Sequence, residues 1–270
     1  MLLVLQDNSW IYKAIFLLIN MGYWPVVKKV VKDSDIILFI LDARMPEMSK
    51  NPVLEGMVKK ENKELMMVFT KSDLVREGEL VRLREKFREA FFVSGTKNLG
   101  MKKLKEGIMI RAKKKGLESP YVGVVGYPNV GKSAIINALA KRARAKVSSI
   151  AGTTKGIQWI NEGSLKILDS PGVVPMKDSE LKLGMIGAKN VEKMKKPEQV
   201  VFGIIKNIII KNKNSFERFY NVALEEGDNE YDILVKVGKA RGFLVKGGKV
   251  DERRTMVQII RDWQEGKIVV

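Results

Sequence analysis

The stretch Gly126-Tyr-Pro-Asn-Val-Gly-Lys-Ser133 decides how this chain folds. Two glycines separated by four residues and followed by Lys132 and Ser133 form the pattern G-x-x-x-x-G-K-S. It follows an apolar run, Tyr121–Val125, and opens a helical pattern, Lys132–Arg142, which is the strand–loop–helix context the pattern requires. Glycines there let backbone N–H groups curl around phosphate oxygens, and the helix N-terminus adds a favourable dipole. Lys132 is expected to bridge the β- and γ-phosphates of a nucleotide, and Ser133 to hold Mg2+ through its hydroxyl. Val130, Gly131 and Ala134 complete the expected phosphate contacts.

Downstream, Asp169-Ser-Pro-Gly172 ends an apolar strand, Leu165–Leu168. An aspartate at that position suits a water-mediated Mg2+ contact, and the Gly172 N–H suits the γ-phosphate. Between the two motifs lies Ala151-Gly-Thr-Thr154-Lys155, placed as a switch loop whose threonine completes the metal shell when the γ-phosphate is present. Thr154 is the first choice for that ligand and Thr153 the alternative.

Upstream, Thr70-Lys71-Ser72-Asp73 ends another apolar strand, Leu65–Thr70. A carboxylate such as Asp73 can accept hydrogen bonds from guanine N1–H and its 2-amino group. Adenine offers neither donor, so the wrong base would leave a buried charge unpaired. Lys71 can lay its stem against the base ring, and Ser94-Gly95-Thr96, after the next strand, is placed to meet the guanine oxygen through backbone N–H groups. The base-reading motif thus precedes the phosphate loop. In an ordinary GTPase the order is reversed, so the chain reads as circularly permuted.

Short branched apolar runs at Ile36–Leu41, Leu65–Thr70, Phe91–Val93 and Tyr121–Val125 alternate with helical patterns at Pro52–Asn62, Val75–Glu89 and Met101–Lys115. That alternation predicts a doubly wound, mostly parallel α/β sheet. Gly156–Asn161 and Leu165–Leu168 read as a hairpin around Glu162-Gly-Ser164. From about Met176 strand patterns stop, and helices are expected at Pro197–Ile210, Ser215–Leu224, Tyr231–Arg241 and Asp251–Trp263. Asp251 is placed to cap the last of these. Met256, Ile259, Ile260 and Trp263 share one face, leaving Arg253, Arg254 and Arg261 for the surface. The expected organisation is an N-terminal extension (1–20), a GTPase domain (21–175) and a small all-α domain (176–270).

The 270 residues carry 49 Lys and Arg against 31 Asp and Glu, a formal charge of +18 that favours an anionic partner, with nucleic acid foremost. Without Cys or His there is no disulfide, thiolate nucleophile, zinc knuckle or imidazole base. Catalysis must therefore rest on positioning, charge and metal ions. Residues 1–20 are apolar in patches but broken by Asp7, Asn8, Ser9 and Lys13. They read as a packing helix or as an extension before a start at Met21, not as a signal peptide or membrane span.

In order and sequence these motifs resemble the circularly permuted GTPases of the YlqF/YawG family. The resemblance extends to Asp42-Ala-Arg-Met-Pro46 with Asn51-Pro52, to Gln158-Trp159, and to a tail comprising Gly238-Lys-Ala-Arg-Gly242, Lys246-Gly-Gly248, Asp251, Asp262-Trp263 and Gly266-Lys267. It covers roughly residues 21–270. Read locally, Asp42 would be a helix cap and Arg44 a surface ion pair. The resemblance implies a cytoplasmic GTPase that binds GTP, GDP and Mg2+, acts in assembly of the large ribosomal subunit, and contacts rRNA through the C-terminal helices; no membrane or DNA partner is expected. Two basic runs agree: Lys102, Lys103, Lys105, Arg111 and Lys113 to Lys115 on one helix, and Lys141, Arg142, Arg144 and Lys146 beside the switch loop.

Asn129 resembles the asparagine of potassium-activated GTPases, which implies a K+ ligand. Val173 stands where many GTPases place a water-orienting glutamine, which implies slow intrinsic turnover. Bacterial members also carry a histidine near the N-terminus that this chain lacks, so no general base is assigned. Two alternatives stand beside this reading. One is a small-subunit assembly GTPase, against which the absent zinc ligands argue. The other is a nucleotide-gated RNA-binding module with incidental hydrolysis. The sequence places the switch turn Asp169–Gly172 directly before the helical tail, so nucleotide state and RNA contact are expected to be coupled near Met176.

Overall fold

The computed structural model describes residues 24–140, 158–175 and 177–270. Residues 1–20, Met21, the switch loop with Thr153 and Thr154, the basic positions Lys141, Arg142, Arg144 and Lys146, and Met176 lie outside these residues. Six strands, β1 (Ile36–Asp42), β2 (Glu64–Thr70), β3 (Phe91–Phe92), β4 (Tyr121–Gly126), β5 (Gln158–Glu162) and β6 (Leu165–Asp169), form one sheet in the order β3-β2-β1-β4-β6-β5. Every neighbouring pair is parallel except the β5–β6 hairpin.

All seven residues of β1 are buried, as befits a strand covered on both faces. Its side chains alternate: Ile37, Phe39 and Leu41 join one apolar layer, and Ile36, Leu38 and Ile40 the other. Helices α1 (Trp24–Asp33), α3 (Pro52–Lys60) and α4 (Glu77–Lys86) contribute to the first layer; α2 (Pro46–Ser49) is a single turn after β1. Helices α5 (Met101–Lys114) and α6 (Lys132–Leu139) contribute to the second. The doubly wound, mostly parallel architecture expected from the pattern is present.

The C-terminal region is helical: α7 (Glu180–Met185), α8 (Pro197–Tyr220), α9 (Glu230–Ala240) and α10 (Glu252–Gln264). Helix α7 had no counterpart in the sequence reading. The expected helices at Pro197–Ile210 and Ser215–Leu224 both lie within α8, which Asn212 divides into two segments where its backbone leaves helical geometry (φ −159°, ψ 70°). Asn212 Oδ1 accepts from Ser215 N at 3.2 Å, so it caps the second segment. Asp251 caps α10 by accepting from Arg254 N, and Asn229 with Asp232 forms a capping box on α9.

Val200, Val201, Ile204, Ile205 and Ile208 of α8, with Ile259, Ile260 and Trp263 of α10, fall in the same continuous apolar layer as Phe39 and Leu41 of the sheet. Each such buried side chain contributes about 1.5–3 kcal/mol, so this layer holds the helices against the sheet as well as against one another.

Candidate functional site

The phosphate loop leaves the sheet at Gly126, whose φ of 153° brings the backbone so close to β1 that a β-carbon would lie 2.6 Å from Ile40 O. Asn129 (φ 59°) and Gly131 (φ 104°) complete the turn, and α6 opens at Lys132. Lys132 is buried, its Nζ held by Tyr127 O at 2.7 Å and Gly126 O at 3.3 Å. Burial pulls its pKa down to about 8 against the opposing attraction of Asp169. Ser133 and Ala134 follow, half-buried, in the first helical turn.

Strand β6 pairs with β4 so that Asp169 lies opposite Val124, which sets the buried carboxylate beside the loop. Ser170 Oγ donates to Val124 O at 2.6 Å and Val173 N to Gly126 O at 3.3 Å. Gly172 packs directly on the loop: a β-carbon there would lie 2.4 Å from Pro128 N. The two phosphate-side motifs therefore share backbone contact.

On the base side, buried Thr70 donates to Leu41 O at 3.1 Å and hydrogen-bonds Val130 O, joining this motif to the phosphate loop. Ser72 N donates to Val93 O, and Asp73 sits in a 3-10 turn, Ser72–Leu74. Asp73 lines a groove of about 1090 Å³ with Ser72, Asn98 and Lys102. Ser94 is buried and exchanges two 3.0 Å backbone hydrogen bonds with Leu99. Gly95 presses on α6, where a β-carbon would meet the Ala134 carbonyl at 2.7 Å. All these segments stand at the carboxyl ends of parallel strands, where open α/β sheets bind ligands.

Asp42 caps no helix: the turn Pro46–Ser49 starts from Met45 without a side-chain cap, and the Asp42 carboxylate is taken up by Arg44 and Lys71. Arg44 is no surface residue: both side chains are 1% exposed, and they pair bidentately, Nε to Oδ1 at 3.1 Å and Nη2 to Oδ2 at 2.8 Å. Lys71 Nζ takes the same Oδ2 at 2.8 Å. Burial pushes the Asp42 carboxyl up, but the charges and hydrogen bonds of Arg44 and Lys71 outweigh it and hold the group well below the usual carboxylate range. Arg44 also donates to Trp263 O at 2.6 Å and lies 4.0 Å over the Trp263 ring. No sequence signal places residue 263 beside residue 44.

The loop itself touches the helical region. Tyr127 OH hydrogen-bonds Asp178, and Asn129 Nδ2 donates to Gly187 O at 2.8 Å. Of the basic run on α5, Lys102, Lys103 and Lys113 to Lys115 are exposed, whereas Arg111 is engaged by Glu64 at 3.1 Å. Arg253, Arg254 and Arg261 face the surface, as the helical pattern required.

A G-x-x-x-x-G-K-S loop after a parallel strand, an aspartate ending the adjacent strand, and the Thr70–Asp73 turn earlier in the chain define a circularly permuted P-loop GTPase fold. A family described as RsgA GTPase matches residues 18–177, more than half the chain, and one described as 50S ribosome-binding GTPase matches residues 121–235. The chain belongs to the RsgA GTPase family. A GTP-binding protein of Methanocaldococcus jannaschii is 41% identical over 245 residues, covering 90% of this chain and 65% of that protein. Nucleolar GTP-binding protein 2 of Saccharomyces cerevisiae is 33% identical, covering 97% of this chain and 56% of that protein. The chain thus spans between half and two thirds of these relatives. GDP-bound YlqF of T. maritima shares the fold with a TM-score of 0.60 at 22% identity, covering 90% of this chain and 96% of that one.

Proposed function

We propose that this chain binds GTP and hydrolyses it slowly to control a step in assembly of the large ribosomal subunit. The observation that carries this is the convergence of Lys132, Asp169, Gly172 and the Thr70–Asp73 turn at one edge of the sheet, with Gly172 packed on the loop. Asp73, Ser94 and Gly95 read guanine; Val130 to Ala134 cradle the phosphates; the Gly172 N–H meets the γ-phosphate. The hydroxyl of Ser133 and the carboxylate of Asp169 are hard oxygen donors that suit Mg2+, with Thr154 as the switch ligand. Mg2+, when bound, would neutralise phosphate charge. Asn129 is the proposed K+ ligand.

Val173 is buried and apolar, so it cannot orient a water molecule, and intrinsic turnover is slow. The exposed lysines of α5 and the arginines of α10 are the proposed rRNA contacts. The match to a 50S ribosome-binding GTPase family and the nucleolar names of eukaryotic relatives support a large-subunit precursor as partner. Among the described residues no helix is long and apolar enough to cross a membrane. We place the protein in the cytoplasm, or in the nucleolus where a cell has one.

The test is GTP hydrolysis measured alone and with each purified ribosomal subunit, in potassium and in sodium. Stimulation by large subunits in potassium is the expected result. Equal rates with and without particles would overturn the coupling to assembly, and preference for small subunits would redirect it. ATP binding as tight as GTP binding would remove Asp73 from the base site.

A further inference from the structure

Lys71 holds an unusual backbone position for a long side chain. Its φ of 57° lies in the left-handed region, where a residue with a β-carbon costs about 1–2 kcal/mol. Such a position persists only when its surroundings over-determine it. The ion pair with Asp42 does so, because the 2.8 Å contact to Oδ2 fixes where the lysine ammonium stands. Asp42 in turn has no freedom of its own. Its Oδ1 accepts from Arg44 N and Nε, and its backbone N donates to Ser49 Oγ at 3.1 Å. Arg44 is then locked from the far end of the chain by the Trp263 carbonyl and ring. Trp263 is fully buried and donates through Nε1 to Met185 O at 2.7 Å.

A second set of contacts reaches the same turn independently. Val270 N donates to Leu74 O at 2.9 Å, and Arg76 N to Val270 O at 2.6 Å, so the C-terminal tail is hydrogen-bonded to the end of the Ser72–Leu74 turn that carries Asp73 and to Arg76 just beyond it. Gly266, with φ 74°, approaches so closely that a β-carbon there would lie 2.7 Å from Leu74 Cδ1. The base-reading turn is thus supported on two sides by residues 263–270.

From these contacts we infer that Asp42 is a positioning residue for guanine-nucleotide recognition. It acts through Lys71, and Arg44 and Trp263 carry its position to the last helix, so that α10 and the tail are part of the base-binding apparatus. The inference rests on the proposed GTP site. It adds a second route by which the helical region and the nucleotide sense each other, at the base rather than at the γ-phosphate. Nucleotide affinity would then respond to anything that displaces α10, including an RNA held by its exposed arginines.

The test is a double-mutant cycle on GDP affinity, read by fluorescent GDP titration of the full chain, with Lys71→Ala, Asp42→Asn and the pair. Lys71→Ala leaves Asp42 bidentate with Arg44, so the fold is retained. Asp42→Asn alone is expected to weaken GDP about tenfold, the scale of one lost charge-assisted hydrogen bond, and to add nothing in the Lys71→Ala background. Trp263→Phe, which keeps an aromatic ring and leaves Asp42 intact, is expected to weaken GDP by a smaller factor that also vanishes with Lys71→Ala. Should Asp42→Asn fail to fold, the Trp263→Phe cycle decides alone. Effects that add in the double variants would overturn the inference, showing that these residues only hold the fold. So would wild-type affinity in Lys71→Ala, which would make the ion pair purely structural. Absence of GDP binding to the wild-type chain would instead refute the GTPase reading itself.

Discussion

Replacing Gly172 by alanine tests whether the Asp169–Gly172 turn senses the γ-phosphate. A β-carbon on Gly172 would lie 2.4 Å from Pro128 N, 2.6 Å from its Cα and 2.8 Å from its Cδ. Ordinary contact begins at 3.4 Å, so 3.4 − 2.4 = 1.0 Å must open between the turn and the loop. The loop cannot supply it. Pro128 is buried, and Thr70 and Asn129 tie its neighbours to β1 and to Gly187. The turn must therefore withdraw, carrying the Gly172 N–H about 1 Å from its place. A misplacement of that size costs about 100-fold in rate. Single-turnover GTP hydrolysis with large subunits present should fall by that factor. GDP, which has no γ-phosphate, should bind Gly172→Ala as it binds the wild type, because Lys132, Ser133 and Asp73 are untouched. Hydrolysis at the wild-type rate would refute the reasoning. A parallel loss of GDP affinity would also refute it, since Gly172 would then support the loop rather than report on the γ-phosphate.

Three further outcomes follow from the same structure. Asp73→Asn should weaken GTP about 10–100-fold, the cost of an unsatisfied partner to a charged group, and should gain affinity for a xanthine nucleotide, whose 2-carbonyl suits the new amide donor; competition titration reads both. Ile204→Ala opens a cavity in the apolar layer that α8 shares with β1 and should cost about 2–5 kcal/mol in denaturant unfolding. Because the layer is continuous, sheet and helices should still unfold in one transition, and two separated transitions would show that residues 176–270 are an independent domain. The Asp42 carboxyl, held low in the folded state, contributes stability that is complete above its unfolded value of about 4 and is lost as pH falls through the folded value. The stability gap between wild type and Asp42→Asn should therefore be constant at neutral pH and shrink only in acid; a gap that closes near pH 7 would contradict the ion-pair geometry.

Much of the site was legible because its parts are local. The pattern from Gly126 to Ser133 needs only a strand before it and a helix after it, and burial of β1 on both faces follows from an unbroken run of apolar residues. Asp251 announced the start of α10 for the same reason, since a cap bonds a backbone group three residues away. Asn212 was legible for the same reason, since the break it makes between two helical segments and the cap it gives the second are both local. Arg44 shows the limit of local reading, because nothing within ten residues tells a buried guanidinium from an exposed one.

The sequence by itself determined the doubly wound sheet, the phosphate loop, the turn at Thr70–Asp73 and the permuted order in which the chain visits them. These depend on residue type at short spacing and on the rule that strands ending in such motifs place them at one edge of a sheet. Only the tertiary structure decided that Lys71, Asp42, Arg44 and Trp263 form one buried series, that the phosphate loop grips Asp178 and Gly187, and that residues 266–270 brace the end of the Ser72–Leu74 turn. Those contacts join positions as many as 219 residues apart. They exist because burying the apolar faces of α8 and α10 against the sheet brings distant polar groups into a low-dielectric interior, where each must find a partner.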